Sequence, residues 1–260
     1  MTAACRCAYL THRGYVRTGN EDSILVGGRV IAGESMDRSG LMTIPSVPSL
    51  FAVADGVGGS VHGEVASRSV MESLAAGTVP QRPEEAVAMI GRAGEDLDAM
   101  VRRDARLSGM GTTVSGLVLL GDQVLIFNCG DSRVYRITGG SATRLSHDHS
   151  VVQELCDQGI ITPEEVYTHP YRSIITAHVS GNVLSHPPPR VMTTTVPSAG
   201  TGRFLLCTDG LWEVVRDPEI GAICSSADLM EAATTLLTTC LARGGPDNIS
   251  LILLEWSGGS

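Results

Sequence analysis

Aromatic residues are scarce in this sequence, at 4% of 260 residues, so aliphatic side chains and alanines must fill most of the core. Basic residues are also in deficit, because 19 arginines and lysines face 28 acids and leave a net charge of −9. That balance disfavours a surface built for nucleic acid or anionic lipid, since both bind clustered positive charge. We therefore expect no nucleic-acid partner.

Long apolar runs and targeting signals are missing too. No stretch approaches the roughly 20 apolar residues that span a bilayer, and no basic start with an apolar core and cleavage site is present. We expect a cytoplasmic protein with no membrane segment. Because we find no fixed-period repeat and no dividing linker, we expect a single domain over residues 1–260, and a monomer.

Paired cysteines are absent as well. The seven cysteines are an odd number and show no paired zinc-like spacing, so most are expected to be reduced core residues. Cys5 and Cys7 are two nearby thiols that could in principle hold a metal, but no second pair accompanies them. We interpret both as structural.

Seven β-branched or aliphatic stretches, most of which end at Gly or Asp, predict strands. They are residues 23–26, 50–54, 113–120, 123–129, 133–137, 204–208 and 249–255. Gly121-Asp122 separates the third stretch from the fourth as in a hairpin, and the turn Gly130-Asp131-Ser132 leads to the fifth. These three strands are therefore predicted to form an antiparallel meander.

Helical periodicity covers residues 63–76, 83–103 and 227–242, and each predicted helix has one apolar face. Strands in groups with amphipathic helices between them favour an α+β fold. We expect a central sandwich of two antiparallel β-sheets flanked by α-helices on both sides. Residues 146–189 mix short helical pieces with Gly and Pro and are predicted to form a lid-like insertion, and residues 257–260 a disordered tail.

Acidic residues stand at the ends of most predicted strands. Apolar runs lead directly into Asp55-Gly56 and Asp209-Gly210, and Asp131 follows another strand. A buried strand would deliver such an Asp to the rim of a sheet, where the next Gly lets the backbone turn and expose its carbonyl oxygen. Any one Asp-Gly pair has a simpler reading as an ordinary turn.

The pattern gains weight from its recurrence. Glu21-Asp22 precedes a predicted strand, and Pro246-Asp247-Asn248 precedes the last one. If these strand ends converge, several carboxylates crowd together, which is tolerable only with proton uptake or bound cations. The acids therefore predict a site for divalent metal.

Eight short motifs contain or surround these acids. They are Arg17-Thr-Gly-Asn-Glu-Asp22, Asp55-Gly56-Val-Gly-Gly59, Gly63-Glu-Val-Ala-Ser67, Gly111-Thr-Thr113, Asn128-Cys-Gly-Asp-Ser-Arg133, His147-Asp-His-Ser150, Cys207-Thr-Asp-Gly-Leu-Trp212 and Gly244-Gly-Pro-Asp-Asn248. In residues, order and spacing they resemble the metal-dependent PP2C-type (PPM) serine/threonine protein phosphatases, in their compact bacterial form. The resemblance covers essentially the whole chain.

The resemblance implies a role for each acid. Asp55 would bridge two divalent cations. Asp209 and Asp247 would complete the coordination of one ion, and the Gly56 carbonyl would be a ligand of the other. All-oxygen coordination of this kind suits Mn²⁺ or Mg²⁺ rather than zinc.

Further residues gain roles from the same resemblance. Glu21 and Asp22 would bind metal directly or through its waters, and Asp131 would hold a weaker third ion, or would merely cap a turn. Arg17 would grip the substrate phosphate, since a guanidinium donates two parallel hydrogen bonds to phosphate oxygens. Arg13 and Arg133 lie in neighbouring motifs and are weaker candidates.

The implied reaction is hydrolysis of phosphoserine and phosphothreonine by direct attack of a water shared by the two metals. Phosphorylated proteins would be the partners, and the protein would counteract a bacterial serine/threonine kinase. Two other readings stay open: a non-catalytic relative that binds phosphoproteins, and an enzyme for small phosphate esters. A P-loop nucleotide hydrolase is excluded because no Gly-x-x-x-x-Gly-Lys-Ser/Thr occurs, and we set aside a thiol-based phosphatase.

The sequence departs from the family pattern at two places. Val57 stands where many relatives carry a His as suggested general acid, so the general acid is unknown; a metal-bound water is preferred over His62, whose simpler reading is an exposed helix-start residue. The predicted lid reads Ala177-His-Val-Ser-Gly181 where a shorter Ala-Leu-Gly pattern is usual. Substrate selection or metal affinity is expected to differ accordingly.

Overall fold

Strands and helices follow one another in groups along the chain. The computed structural model describes residues 4–57, 62–181, 189–198, 201–226 and 228–257. The strands are β1 (Ala4–His12), β2 (Ser23–Val26), β3 (Arg29–Ala32), β4 (Gly40–Ile44), β5 (Ser49–Ala54), β6 (Gly111–Thr112), β7 (Val114–Leu119), β8 (Gln123–Cys129), β9 (Arg133–Thr138), β10 (Ser141–Arg144), β11 (Val179–Ser180), β12 (Met192–Pro197), β13 (Thr201–Cys207) and β14 (Ile249–Ser257). The α-helices are α1 (Gly63–Ala76), α2 (Pro83–Arg103), α3 (Val151–Asp157), α4 (Asp209–Trp212), α5 (Asp217–Ser226) and α6 (Leu229–Ala242). Throughout these ranges, no helix combines the length and apolar character that crossing a membrane requires.

Two six-stranded sheets form the centre. One has the order β10-β9-β13-β14-β1-β4 and the other β12-β8-β7-β5-β2-β3, while β6 and β11 pair separately. Every pair of neighbouring strands is antiparallel.

The burial of β5 shows how the layers are built. All six of its residues are buried, which requires cover on both faces of the sheet. Phe51 and Val53 point into the core between the two sheets, whereas Ala52 and Ala54 pack with α1 and α2 on the outer face. Helices α5 and α6 cover the outer face of the other sheet in the same way. The predicted sandwich of two antiparallel sheets between helices is therefore confirmed.

The predicted three-stranded meander is wrong for its third strand. β7 and β8 pair as a hairpin, but β9 pairs with β13 and β10 in the other sheet. The chain changes sheet at Gly130, whose φ of 116° and contact with Thr113 leave no room for a side chain. The turn therefore delivers Asp131 to the place where the two sheets meet.

Seven strands escaped prediction, and four of them are the outer strands of the two sheets: β4, β10, β3 and β12. Outer strands have one unpaired edge and more solvent-exposed side chains, so their apolar signal is weak. β6 and β11 have only two residues each, too few for a pattern to show. β1 lies inside its sheet but reads Ala-Cys-Arg-Cys-Ala at its start, without a run of large apolar residues. Helix α5 was not predicted either, and α6 begins at Leu229 rather than at 227.

Residues 146–181 leave the sandwich and return to it. They contain α3, a 3₁₀ turn at Glu165–Tyr167 and β11, which pairs with β6. The rest of the predicted insertion, residues 182–188, lies outside the described residues. Of the predicted tail, Ser257 is the last residue of β14 and pairs with β1 and β13, which corrects that prediction, while 258–260 also lie outside the described residues.

A buried ion pair ties this segment to the sandwich. Arg133 is 1% exposed, and its Nε and Nη2 donate to Asp148 Oδ2 at 2.9 and 2.6 Å. Its guanidinium also lies over the Trp212 ring, 3.4 Å from the ring centroid. Because both charges are out of water, each depends on the other for compensation.

We predict that Arg133→Met lowers the free energy of unfolding by about 3 kcal/mol, because it leaves the Asp148 carboxylate buried with less compensation. The matched control is Arg106→Met, which breaks an ion pair whose arginine is 86% exposed and should lower the free energy of unfolding far less, because solvent screens the pair. Urea unfolding of both variants measures the difference, and equal costs would contradict the interpretation.

Candidate metal centre

The acidic residues converge because, of two neighbouring antiparallel strands, one begins at the end of the sheet where the other finishes. Glu21-Asp22 enters β2 and Asp55 leaves β5, and Ser23 lies opposite Ala54 in the register of these two strands. In the other sheet Asp209 leaves β13 while Asp247 enters β14, and Cys207 lies opposite Leu251. Each sheet therefore carries acids at one end of its strands, and these ends of the two sheets meet.

A cavity of about 210 Å³ lies where these ends meet. Six carboxylates and one guanidinium are among its lining groups. The lining residues are Arg17, Glu21, Asp55, Gly56, Val57, Thr113, Asp131, Ser173, Ile175, Asp209, Glu213, Asp247 and Asn248. All predicted site residues except Asp22 line this cavity, and Asp22 lies behind it, 1% exposed.

The turn after Asp55 requires glycine. Gly56 donates its N–H to the Glu21 carbonyl at 3.2 Å, and a Cβ on Gly56 would lie 2.5 Å from the carbonyl carbon of Gly63. Gly63 is equally constrained, since its own Cβ would lie 2.9 Å from Glu21 Oε2. The start of α1 can therefore approach the acidic turn only because both positions lack side chains.

Side-chain hydrogen bonds join the acidic loops of the two sheets. Asn248 Oδ1 accepts from the Glu21 N–H at 2.8 Å, and Asn248 Nδ2 donates to the carbonyls of Arg13 and Gly19. Thr208 Oγ1 donates to Asp22 Oδ2 at 2.9 Å. The acids are thus held close by neutral amide and hydroxyl groups.

Asp55 lies among several other carboxylates. Burial raises its pKa well above the ordinary value, and the charges of Asp209, Asp22, Asp131 and Asp247 raise it further. Asp55 therefore lies close to four other carboxylates of the cluster. This location suits the bridging role that the sequence resemblance implies.

The neighbouring acids are perturbed in the same direction. Burial raises the pKa of Asp22 to about 7, although hydrogen bonds from Ser250 and Thr208 oppose the shift. Burial and the charge of Asp148 raise the pKa of Asp131, also to about 7. Burial and the charge of Asp131 raise the pKa of Asp209 well above the usual range. Without added positive charge, ionising these carboxyls together is unfavourable.

The donor set fits hard cations. Asp22 Oδ1, Asp209 Oδ1 and Glu213 Oε1 are buried and, in the described chain, have no hydrogen-bond partner. Unpartnered buried oxygens are rare in proteins, and a cation would satisfy them. The side chains are gathered rather than preassembled, since no three of the described His, Cys, Asp or Glu side chains form a ready-made metal cluster.

Arg17 is the cationic residue of the cavity lining. Its Nη2 donates to Asp247 Oδ2 at 2.7 Å, and the side chain remains 44% exposed. Burial would lower the Arg17 pKa, but this hydrogen bond and the charges of Asp247, Asp209 and Asp55 raise it overall. The sequence contains no lysine, so an arginine provides the positive charge at the mouth of the cavity.

Glu213 is a lining residue that the sequence reasoning missed. It caps the short helix α4 four residues after Asp209, and burial raises its pKa. Its Oε2 lies 3.6 Å from Arg172 Nε. The i,i+4 spacing from Asp209 was the available signal, because residues so spaced share one face of a helix.

Segment 146–181 forms part of the cavity wall through Ser173 and Ile175. Three weaker candidates do not line the cavity. His62 begins α1 with its Nδ1 3.6 Å from Glu64 Oε1, Arg13 is exposed, and Arg133 is buried in its ion pair with Asp148.

Comparison with known proteins identifies the family. The sequence model of protein phosphatase 2C matches residues 36–244. The serine/threonine protein phosphatase PstP of Mycobacterium tuberculosis is 34% identical over 98% of this chain, which spans 46% of that relative's length. The serine/threonine phosphatase stp of Listeria welshimeri is 31% identical over 95% of this chain and 94% of its own. The chain belongs to the protein phosphatase 2C family.

Solved structures agree with this assignment. The catalytic domain of PstP in complex with two manganese ions superposes with a TM-score of 0.79 at 30% identity, over 98% of this chain and all of that one. Stp1 of Staphylococcus aureus superposes with a TM-score of 0.80 at 27% identity, over 98% and 95% of the two chains. The fold of this chain is therefore shared with these phosphatases.

The raised pKa values predict how stability depends on pH in EDTA. The pKa of Asp22 is raised from the ordinary value of 3.8 to about 7 in the folded state. Between these two pH values, the folded protein therefore holds more protons at Asp22 than the unfolded chain does. Stability contributed by this group therefore falls as pH rises through that window. Asp22→Asn should gain stability relative to the parent protein between pH 4 and 8 by about 1 kcal/mol or more.

Urea unfolding in EDTA at intervals across this pH range measures the difference. Asp122→Asn, at an exposed hairpin position, is the matched control and should follow the parent curve. A difference between Asp22→Asn and the parent that is constant with pH would refute the assignment.

Proposed function

We propose that this chain is a Mn²⁺- or Mg²⁺-dependent protein serine/threonine phosphatase. The observation that carries the proposal is the convergence of six carboxylates and Arg17 on one small cavity. Family membership supports the reaction class, and the manganese ions named for the PstP structure support the choice of cation.

Two cations would be held mainly by three residues. Asp55, which lies close to four other carboxylates, would bridge them, and Asp209 and Asp247 would complete the coordination of one ion. The Gly56 carbonyl would assist the other, and Asp131 would serve a weaker third site. Glu21 and Asp22 would bind directly or through water; the buried location of Asp22 behind the cavity favours an indirect role.

Two such cations, when bound, supply an activated water as the nucleophile and neutralise phosphate charge. The chain's own contribution is orientation. Arg17 would donate hydrogen bonds to the phosphate oxygens and hold phosphorus in line with the leaving oxygen. Its present partner, Asp247, holds the guanidinium at the cavity before substrate arrives.

A thiol nucleophile has no support here. Cys7 and Arg13 have the spacing of a thiol phosphatase loop, with five residues between them. However, Cys7 is fully buried within β1, where burial raises its pKa to about 12, and it donates to the Met42 carbonyl rather than facing the cavity. A buried neutral thiol is neither accessible nor nucleophilic.

The physiological substrates would be proteins phosphorylated by a serine/threonine kinase. This part of the proposal rests on the names of the relatives. All six carboxylates and Arg17 come from one chain, and the protein would act as a single-domain monomer. The leaving alkoxide must be protonated. Val57 lines the cavity at the position where many relatives carry a histidine, so we propose that a water molecule donates this proton.

We expect the wild-type protein to hydrolyse p-nitrophenyl phosphate with Mn²⁺ and to lose this activity in EDTA. Asp209→Ala should lower kcat/KM by at least about 100-fold, because it removes a cation ligand and transition-state charge stabilisation. Asp122→Ala, an exposed Asp on the β7–β8 turn, is the matched control and should retain activity.

Turnover that persists in EDTA would exclude the metal mechanism. Inactivity with every divalent cation, combined with retained binding of a phosphothreonine peptide, would favour the non-catalytic reading instead.

For Arg17→Met we expect KM for p-nitrophenyl phosphate to rise by about tenfold or more, since the phosphate loses a bidentate donor. Arg17→Lys should recover only part of the loss, because an ammonium group cannot donate two parallel bonds. Arg13→Met, in the same loop but exposed and outside the cavity lining, is the control. Equal effects of the Arg13 and Arg17 substitutions would count against the assigned role.

A further inference from the structure

Four of the most exposed apolar side chains belong to the two chain segments that carry the cavity-lining residues Arg17 and Ser173. Among the described residues, the five most exposed large apolar side chains are Val16 at 68%, Tyr15 at 66%, Ile160 at 61%, Tyr171 at 54% and Ile174 at 47%. Single exposed apolar residues are common on protein surfaces, but their clustering beside a functional cavity is informative. All of these except Ile160 lie within two residues of a residue that lines the cavity.

The first pair, Tyr15 and Val16, precedes Arg17 directly. Both backbone N–H groups donate to the carbonyl of Gly245, at 2.8 and 3.4 Å, two residues before Asp247. The Tyr15 ring also meets His12 edge-on at 6.4 Å. The backbone of this pair is therefore fixed against the rim of the cavity while its side chains remain in solvent.

The second pair, Tyr171 and Ile174, lies in segment 146–181. Ile174 stands between the two lining residues Ser173 and Ile175, and its carbonyl accepts from the Val151 N–H at 2.9 Å. The Tyr171 ring meets His169 edge-on at 5.4 Å. This pair too has a hydrogen-bonded backbone and exposed side chains.

These contacts make both pairs preorganised binding groups. A rigid apolar group that is already exposed loses little conformational entropy when a ligand covers it, so it gains affinity at low cost. Tyrosine is especially suited to this role, because it presents a large area with few rotatable bonds. A small phosphate ester would cover only a fraction of these groups, whereas a peptide chain entering the cavity would pass over its rim.

We infer that Tyr15-Val16 and Tyr171/Ile174 are two apolar lips that bind the residues flanking the phosphorylated side chain of a peptide substrate. The occupant is an extended phosphopeptide with apolar residues next to the phosphoresidue. Acidic flanks fit poorly, because the cavity rim is rich in carboxylates and the chain carries a net charge of −9. This inference rests on the proposed phosphatase function and defines its substrate class.

The test compares three substrates with Mn²⁺: p-nitrophenyl phosphate, a phosphothreonine peptide with Leu and Val flanks, and the same peptide with Gly and Ser flanks. We expect the wild-type protein to prefer the apolar peptide over the Gly/Ser peptide by about tenfold in kcat/KM, mostly through KM. The double variants Tyr15→Ser/Val16→Ser and Tyr171→Ser/Ile174→Ser should each lower kcat/KM for the apolar peptide about tenfold more than for p-nitrophenyl phosphate.

The matched control is Leu41→Ser/Val87→Ser, which removes two exposed apolar side chains, 43% and 41% exposed, on β4 and α2. It should change the ratio between peptide and p-nitrophenyl phosphate by less than about twofold. Thermal unfolding of every variant confirms that the fold is retained.

Two results would overturn the inference. One is a wild-type protein whose kcat/KM is the same for both peptides. The other is that the lip variants lower kcat/KM for all three substrates by the same factor. Both leave the proposed phosphatase intact. Failure of the wild-type protein to hydrolyse p-nitrophenyl phosphate with any divalent cation would instead overturn the proposed function, and the substrate inference with it.

Discussion

Repulsion between buried carboxylates is the constraint on which this molecule is organised. Asp55, Asp209, Asp22 and Asp131 all have raised pKa values, chiefly because burial disfavours their charged forms. Packing alone would separate such groups. They remain together because strands from two sheets end at one rim and because neutral donors such as Asn248 join the loops that carry them. The fold thus holds several carboxylates close together, and a bound hard cation reduces the repulsion between their negative charges.

The rest of the architecture keeps that rim rigid. Three apolar layers fix the sheets and helices, one between the sheets and one under the helices on each side. Close backbone approach at Gly56 and Gly63 brings the start of α1 against the acidic turn. On the opposite side, Trp212 Nε1 donates to the Asp131 carbonyl at 3.0 Å and its ring supports Arg133. Segment 146–181 is therefore anchored to the same residues that position the third acid.

Much of this was predictable from the sequence, for physical reasons. Apolar runs such as Leu50–Ala54 are buried on both faces and end in acids, so both strand and rim position could be predicted. Outer strands such as β3 and β10 carry a weak signal because solvent covers part of them. The transfer of β9 to the other sheet could not be predicted, since a Gly-containing turn fits either a hairpin or a crossover. Glu213 escaped attention because its role depends on the fold of α4 and on Arg172, which is distant in sequence.

The hydrogen bond between Arg17 and Asp247 joins residues 230 positions apart. Asp247 directly precedes β14, which lies between β13 and β1 in its sheet. A nascent chain still lacking β14 has no neighbour for β13 on that side and no Asp247 to hold Arg17. The acidic rim is therefore complete only when β14 has joined its sheet. A growing polypeptide that has not yet reached Asp247 therefore carries an acidic cluster without one of its carboxylates and without the partner of Arg17.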